Sequence, residues 1–127
     1  MKAFVLIIIV MFISGCENSV GPNFLNTHIE GIVTDRETGS PLDHASIYLF
    51  RKETGFDGHN FWSKQIILER VPADEDGIFR IYYIISDQER YYLGAERDGY
   101  SSTGIYTAPR VKFARAQKIN IQLGKKY

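Results

Sequence analysis

The sequence predicts an all-β domain, a sandwich or barrel, and three observations predict it. Beyond about residue 26 apolar residues alternate with period two, turn chemistry cuts the pattern every eight to fifteen residues, and no stripe of helical spacing occurs. The chain has 127 residues, about one domain's worth. With 44% hydrophobic and 13% aromatic residues it is too apolar for disorder, and with 24% charged it is too polar for a multi-spanning membrane protein. The 15 basic and 15 acidic residues cancel, so no overall bias points to nucleic acid, and no nucleic-acid partner is expected.

Taken in order, the chain opens with a targeting segment. Met1-Lys2 supplies a positive charge, residues 3–13 are an unbroken apolar run of 11, and Ser14-Gly15-Cys16 follows. Spanning hydrocarbon takes roughly 20 apolar residues, so the run suits the apolar middle of a signal peptide rather than a transmembrane helix. Ile13-Ser14-Gly15-Cys16 resembles the lipobox of bacterial lipoproteins, with Ile where Leu is usual. The resemblance implies cleavage after residue 15, a diacylglyceryl group on the Cys16 thiol and acylation of the new amino terminus. Cys16 is the only cysteine, so it has no disulfide partner in the chain. Acyl chains at about 0.8 kcal/mol per buried methylene would hold a small domain on a bilayer without a spanning helix.

Residues 1–15 are therefore expected to be a lipoprotein signal peptide, 16–26 the lipidated cysteine and a flexible tether, and 27–127 the folded domain. The tether is polar and small and carries the breaker Gly21-Pro22. A bacterial cell-envelope location on a membrane is expected, the outer membrane favoured over the inner.

The first strand is expected over residues 28–34, with Ile29, Gly31 and Val33 on one face and Asp35 at its exit. Residues 35–41 read as a tight turn, with Gly39 available for positive φ and Pro41 closing it. The second strand, residues 45–51, alternates Ala45, Ile47 and Leu49 against Ser46, Tyr48 and Phe50. Its second face is partly apolar too, so it is either covered or a contact surface. The adjacent pairs Tyr82-Tyr83 and Tyr91-Tyr92 must each split between two faces if they lie in strands.

At these residues a family resemblance becomes specific. Ile29-x-Gly31-x-Val33-x-Asp35 followed by Thr38-Gly39-x-Pro41-Leu42-x-x-Ala45-x-Ile47-x-Leu49 resembles the opening of the carboxypeptidase regulatory-like domain family. Asp74-Glu75-Asp76-Gly77-Ile78-Phe79 resembles that family's turn into a central strand, Tyr92-Leu93-Gly94-Ala95 with Gly99-Tyr100 its later strand and corner, and Ile119-Asn120-Ile121-Gln122-Leu123 its last strand. The resemblance implies a Greek-key β-sandwich of about seven strands, transthyretin- or prealbumin-like, in which these residues are structural. Phe79 is expected in the core, and Leu42 as a plug at one end.

No enzyme is expected. The chain ends Leu123-Gly124-Lys125-Lys126-Tyr127, without the Tyr-Arg-Gly-Ser ending of transthyretin-like hydrolases, and has no G-x-S-x-G elbow. His28, His44 and His59 fall in a strand, a turn and a loop, so neither the two-His, two-Tyr iron site of ring-cleaving dioxygenases nor a zinc site is expected, and no cofactor. Asp57 and Asp76 read as turn formers rather than calcium ligands.

Two candidate contact sites remain. Residues 52–62 read as a polar loop in which Asp57, His59, Asn60 and Trp62 could hold a glycan or small ligand; the other reading is a hairpin whose Phe61 or Trp62 starts a strand and packs inward. From Tyr100 to Tyr127 there is no acid, and Arg110, Lys112 and Arg115 fall in a long connection over residues 99–117 expected to be largely irregular, with a short strand near 105–107. These cations are either a solvated loop or a docking patch for an anionic surface or acidic partner. The expected function is a non-catalytic, lipid-anchored envelope module for protein interaction or support, the alternative a glycan- or ligand-binding lipoprotein using residues 52–62.

Overall fold

A computed structural model of the chain describes residues 21–104 and 107–127. The described residues are all-β and form a Greek-key sandwich: β1 (Phe24–Asp35), β2 (Ser46–Phe56), β3 (Phe61–Pro72), β4 (Ile78–Ser86), β5 (Tyr91–Glu96), β6 (Arg110–Val111), β7 (Ala116–Lys118) and β8 (Ile121–Leu123). One sheet has β1 between antiparallel β4 and the parallel pieces β7 and β8; the other runs β3-β2-β5-β6. Because β7 and β8 follow one another along the same strand, they fill a single position interrupted at Ile119-Asn120, and seven strand positions result.

The alternation anticipated in the first strand decides the core. Thr27, Ile29, Val33 and Asp35 of β1 are buried and meet Ile47, Leu49, Phe79, Ile81, Leu93 and Leu123 between the sheets. Phe79 is 2% exposed, and Leu42 closes the end where β1 leaves the core. Among the described residues, the buried ones all fall between Thr27 and Leu123.

Two glycines are fixed by different demands. Gly77 has φ +76, closing a turn in which its N–H donates to the Asp74 carbonyl while Asp74 Oδ1 accepts from the N–H groups of Asp76 and Ile78. Gly31 is needed for space. At the break between β7 and β8 the Ile119 carbonyl pushes inward, and a Cβ on Gly31 would lie 1.7 Å from its oxygen. The break is pinned on both sides: Ile119 N–H donates to the Glu30 carbonyl at 2.9 Å, and Asn120 Oδ1 accepts from Ile32 N–H at 3.1 Å.

Four expectations need correction. β1 starts at Phe24, so the last three tether residues are strand; Phe24, Leu25 and Asn26 pair with Ser86, Ile85 and Ile84. The motif at residues 74–79 leads into β4, an edge strand and not a central one. The closing strand is two pieces, since the inward Ile119 carbonyl breaks its pairing with β1. Residues 52–56 are strand rather than loop, while Phe61 starts the next strand as the hairpin reading expected. Cys16 and the signal segment lie outside the described residues, as do residues 105 and 106 of the short strand expected at 105–107.

Candidate functional site

The hairpin of β2 and β3 is an arm. β2 pairs with β5 only from Ser46 to Arg51, but with β3 all the way to Phe56↔Phe61. Five residues of β2 thus continue past the last β5 partner, about 17 Å at strand rise. The arm closes through Asp57, whose Oδ1 accepts from the N–H groups of His59 at 2.9 Å and Asn60 at 2.8 Å. Those backbone donors, Asn60 first, hold the Asp57 carboxyl below its ordinary pKa.

The four residues singled out in the sequence therefore share the arm's tip but not one task. Asp57 is occupied by its own turn, while His59 and Asn60 are exposed beside it. Trp62 lies across the arm from Gly55, its register partner, and a Cβ there would come 2.3 Å from the indole. Neither ring packs inward as the other reading expected: Phe61 is 85% exposed and Trp62 41%. Phe56 stacks obliquely on Phe61, ring centroids 4.7 Å apart. The residue sequence analysis missed is Phe56, whose only signal was its symmetry with Phe61 about the four-residue turn.

The second face of β2 is covered from within the sheet. Phe50 stacks on Tyr92 at 5.6 Å, the Arg70 guanidinium lies 5.1 Å from the Tyr48 ring, and Lys52 Nζ sits 4.2 Å above Tyr92. The tyrosine pairs split as strand geometry requires: Tyr91 is buried, its hydroxyl accepting from Ser86 N–H, and Tyr82 is exposed, stacked on His28 at 4.5 Å.

Arg110, Lys112 and Arg115 are all exposed, and none belongs to an ion pair among the described residues. Arg110 and Lys112 line a hollow of about 420 Å³ with Phe113, Asp87 and Glu89; Arg115 lines a separate one with Asn26 and Ile84. The connection carrying them is largely irregular, as expected, but tied down. Gln117 clips the backbone of Lys112 from both sides and donates to Thr27 Oγ1, which donates to the Ala114 carbonyl, while His28 N–H donates to the Arg115 carbonyl.

The opposite end of the sandwich carries struts. Asp35 Oδ1 accepts from Glu37 and Thr38 N–H, and its Oδ2 accepts from the Tyr100 hydroxyl at 2.7 Å. The Tyr100 bond leads in lowering the Asp35 pKa and raises that of Tyr100. Arg97 binds both the Asp43 carbonyl and its carboxylate, the latter at 2.6 Å, beside a hollow of about 610 Å³ that Lys126 also lines. His44 is at this end, His28 on the outer face of β1 and His59 at the arm's tip. Among the described residues no three His, Cys, Asp or Glu are grouped to hold a metal ion.

No family model matches the chain, and no curated protein does. Solved structures of similar shape exist. The C-terminal domain of shaft pilin SpaA from Lactobacillus rhamnosus GG matches with TM-score 0.51 and 12% identity over 80% of this chain and 98% of that one. In the longer SpaA structure the TM-score is 0.55 at 13% identity, and the match spans 47% of the pilin. The 3-chlorocatechol 1,2-dioxygenase of Rhodococcus opacus 1CP matches with TM-score 0.51 and 15% identity over 83% of this chain and 62% of the enzyme. At these identities the likeness is one of fold: the chain is a β-sandwich of the kind found in pilin domains.

Proposed function

We propose that the chain is a non-catalytic β-sandwich module of the bacterial cell envelope, related to carboxypeptidase regulatory-like domains and held on a membrane by acyl chains on Cys16, where it supports or contacts another envelope protein. The observation that carries this reading is the apolar run ending in Ile13-Ser14-Gly15-Cys16, followed by a domain without any other thiol. The family resemblance gains support from the way its scattered motifs meet: Asp35 bonds Tyr100, and Gly77 packs against the Val33 carbonyl and Pro41.

A supporting rather than catalytic role fits the carboxylates. Asp35, Asp57 and Asp74 close turns, Asp43 holds Arg97, and Asp87 holds Asn23. The likeness to a shaft pilin domain fits the same role, and the three histidines sit too far apart in the fold to share a substrate. Glycan binding at residues 52–62 is the weaker reading, because Asp57 commits one of its two carboxylate oxygens, Oδ1, to the turn.

Mild crosslinking in intact cells, with co-purified proteins identified, tests the proposal. Enrichment of a particular envelope protein over a Cys16→Ser control is expected. Recovery of the domain from the soluble fraction, uncrosslinked to any envelope component, would count against it.

A further inference from the structure

The exposed rings gather at one end of the molecule. The chain enters the fold there at Phe24, 65% exposed and paired with Ser86 at the end of β4. The arm projects past this same end, since Arg51, where β5 pairing stops, is matched with Tyr91 just after the turn that follows β4. Phe56, Phe61 and Trp62 lie on the arm, and Phe113, 46% exposed, follows β6 at this end. Lys64, Arg110, Lys112 and Arg115 stand among them. Acids concentrate at the other end, in the turn Asp74-Glu75-Asp76 and at Asp43, Glu96 and Asp98, while Glu53, paired with Lys64 at 3.6 Å, and Asp57, Asp87 and Glu89 remain near the rings.

We propose that this end of the sandwich is a bilayer-facing surface, with the tip of the β2–β3 arm seated in the headgroup region of an anionic membrane. The inference rests on the Cys16 anchor: seven residues lie between Cys16 and Phe24, eight steps of chain with a reach of at most about 28 Å, so an anchored chain brings the ring-bearing end toward the lipid. Aromatic side chains favour the water–hydrocarbon boundary, and each cation near an anionic leaflet adds a salt-sensitive attraction. The turn at the tip satisfies its backbone donors through Asp57, so seating it strips no unpaired N–H of those groups. Asp57 stays ionised, which limits the tip to headgroup depth, with the rings of Phe56, Phe61 and Trp62 beside it on the arm at the same boundary.

The chain supplies its own probes, since Cys16 is its single cysteine and Trp62 its single tryptophan. Residues 16–127, which contain every buried residue among those described, are coupled through the Cys16 thiol to a maleimide lipid in vesicles of phosphatidylglycerol and phosphatidylethanolamine, and Trp62 emission is read. A shift to shorter wavelength and quenching by brominated acyl chains are expected. Without coupling, changing Phe56 and Phe61 together to Ser should weaken partitioning into the same vesicles about tenfold, since each ring loses much of its apolar area. Trp62 emission unchanged from that in water on coupled vesicles, or unquenched, would overturn the proposal and leave the arm for a protein or glycan. The coupling replaces the native acyl chains, so a free thiol at Cys16 in the native protein defeats the anchor without touching this result.

Discussion

Replacing Gly31 by Ala tests the arrangement of the first sheet at its tightest point. The added Cβ would lie 1.7 Å from the Ile119 oxygen and 2.8 Å from Phe79 Cζ. Restoring ordinary contact moves the carbonyl by about as much again, because nearer than about 3.4 Å few real Cβ atoms come. That displacement breaks the bonds from Ile119 N–H to Glu30 and from Ile32 N–H to Asn120, each worth about 0.5–1.5 kcal/mol. It also presses on a ring in a full core, at about 1–3 kcal/mol. Together these put the loss at roughly 4 kcal/mol, a large share of the 5–15 kcal/mol typical of a domain. Gly39→Ala is the control: Gly39 has φ +78 and nothing within 4 Å, so only backbone strain of about 1–2 kcal/mol is expected. Urea unfolding followed by circular dichroism reads both, with the slope unchanged and the midpoint lowered much further for Gly31→Ala. A Gly31→Ala protein within about 1 kcal/mol of the parent, or no worse than Gly39→Ala, would refute the inward Ile119 carbonyl.

Other expectations follow from the same geometry. Phe79→Ala should cost about 3–5 kcal/mol, and a loss under about 1 kcal/mol would mean that the ring is not in the core. Asp35 is held below its ordinary pKa, first by the Tyr100 hydroxyl and then by the Thr38 and Glu37 N–H groups, so its contribution to stability is present above the usual carboxylate range near 4 and lost as pH falls through that range to the folded value. Tyr100→Phe should shrink that acid loss and end it at higher pH, because only the folded value rises; an unchanged stability–pH curve would say the strut does nothing. Arg110, Lys112 and Arg115 changed together to Gln should leave the thermal midpoint nearly unchanged, because the Gln117 and Thr27 bonds hold the backbone there. The triple change should weaken low-salt association of an acyl-free form with isolated envelopes, and equal binding at every ionic strength would return these cations to a solvated surface. Cys16→Ser should abolish palmitate labelling, and continued labelling would sink the anchor.

The sandwich was legible because its inward residues recur at every second position, Ile29 with Val33, Ile47 with Leu49, and Phe79 with Ile81, even though Tyr48 and Phe50 on the other face of β2 are buried as well. The turns were legible because Gly39 and Gly77 adopt positive φ, which leaves its mark in composition. The arm was legible only as a hairpin: residues 52–56 pair on one edge and bury neither face, so nothing selects alternating apolar residues to mark their strand. Gly31 was visible as a motif position, but its reason comes from a carbonyl 88 residues away, a proximity no local pattern encodes. The gathering of Phe24, Phe56, Phe61, Trp62 and Phe113 was likewise hidden, since it depends on which strand ends share one end of the sandwich.

The mass of the intact protein purified from native membranes, with its amino-terminal fragment sequenced, tests the central proposal most directly. The account predicts a chain beginning at Cys16, heavier than residues 16–127 by a thioether-linked diacylglyceryl group and at least consistent with a further amide-linked acyl chain. A chain beginning elsewhere, or one with a free Cys16 thiol, would contradict it.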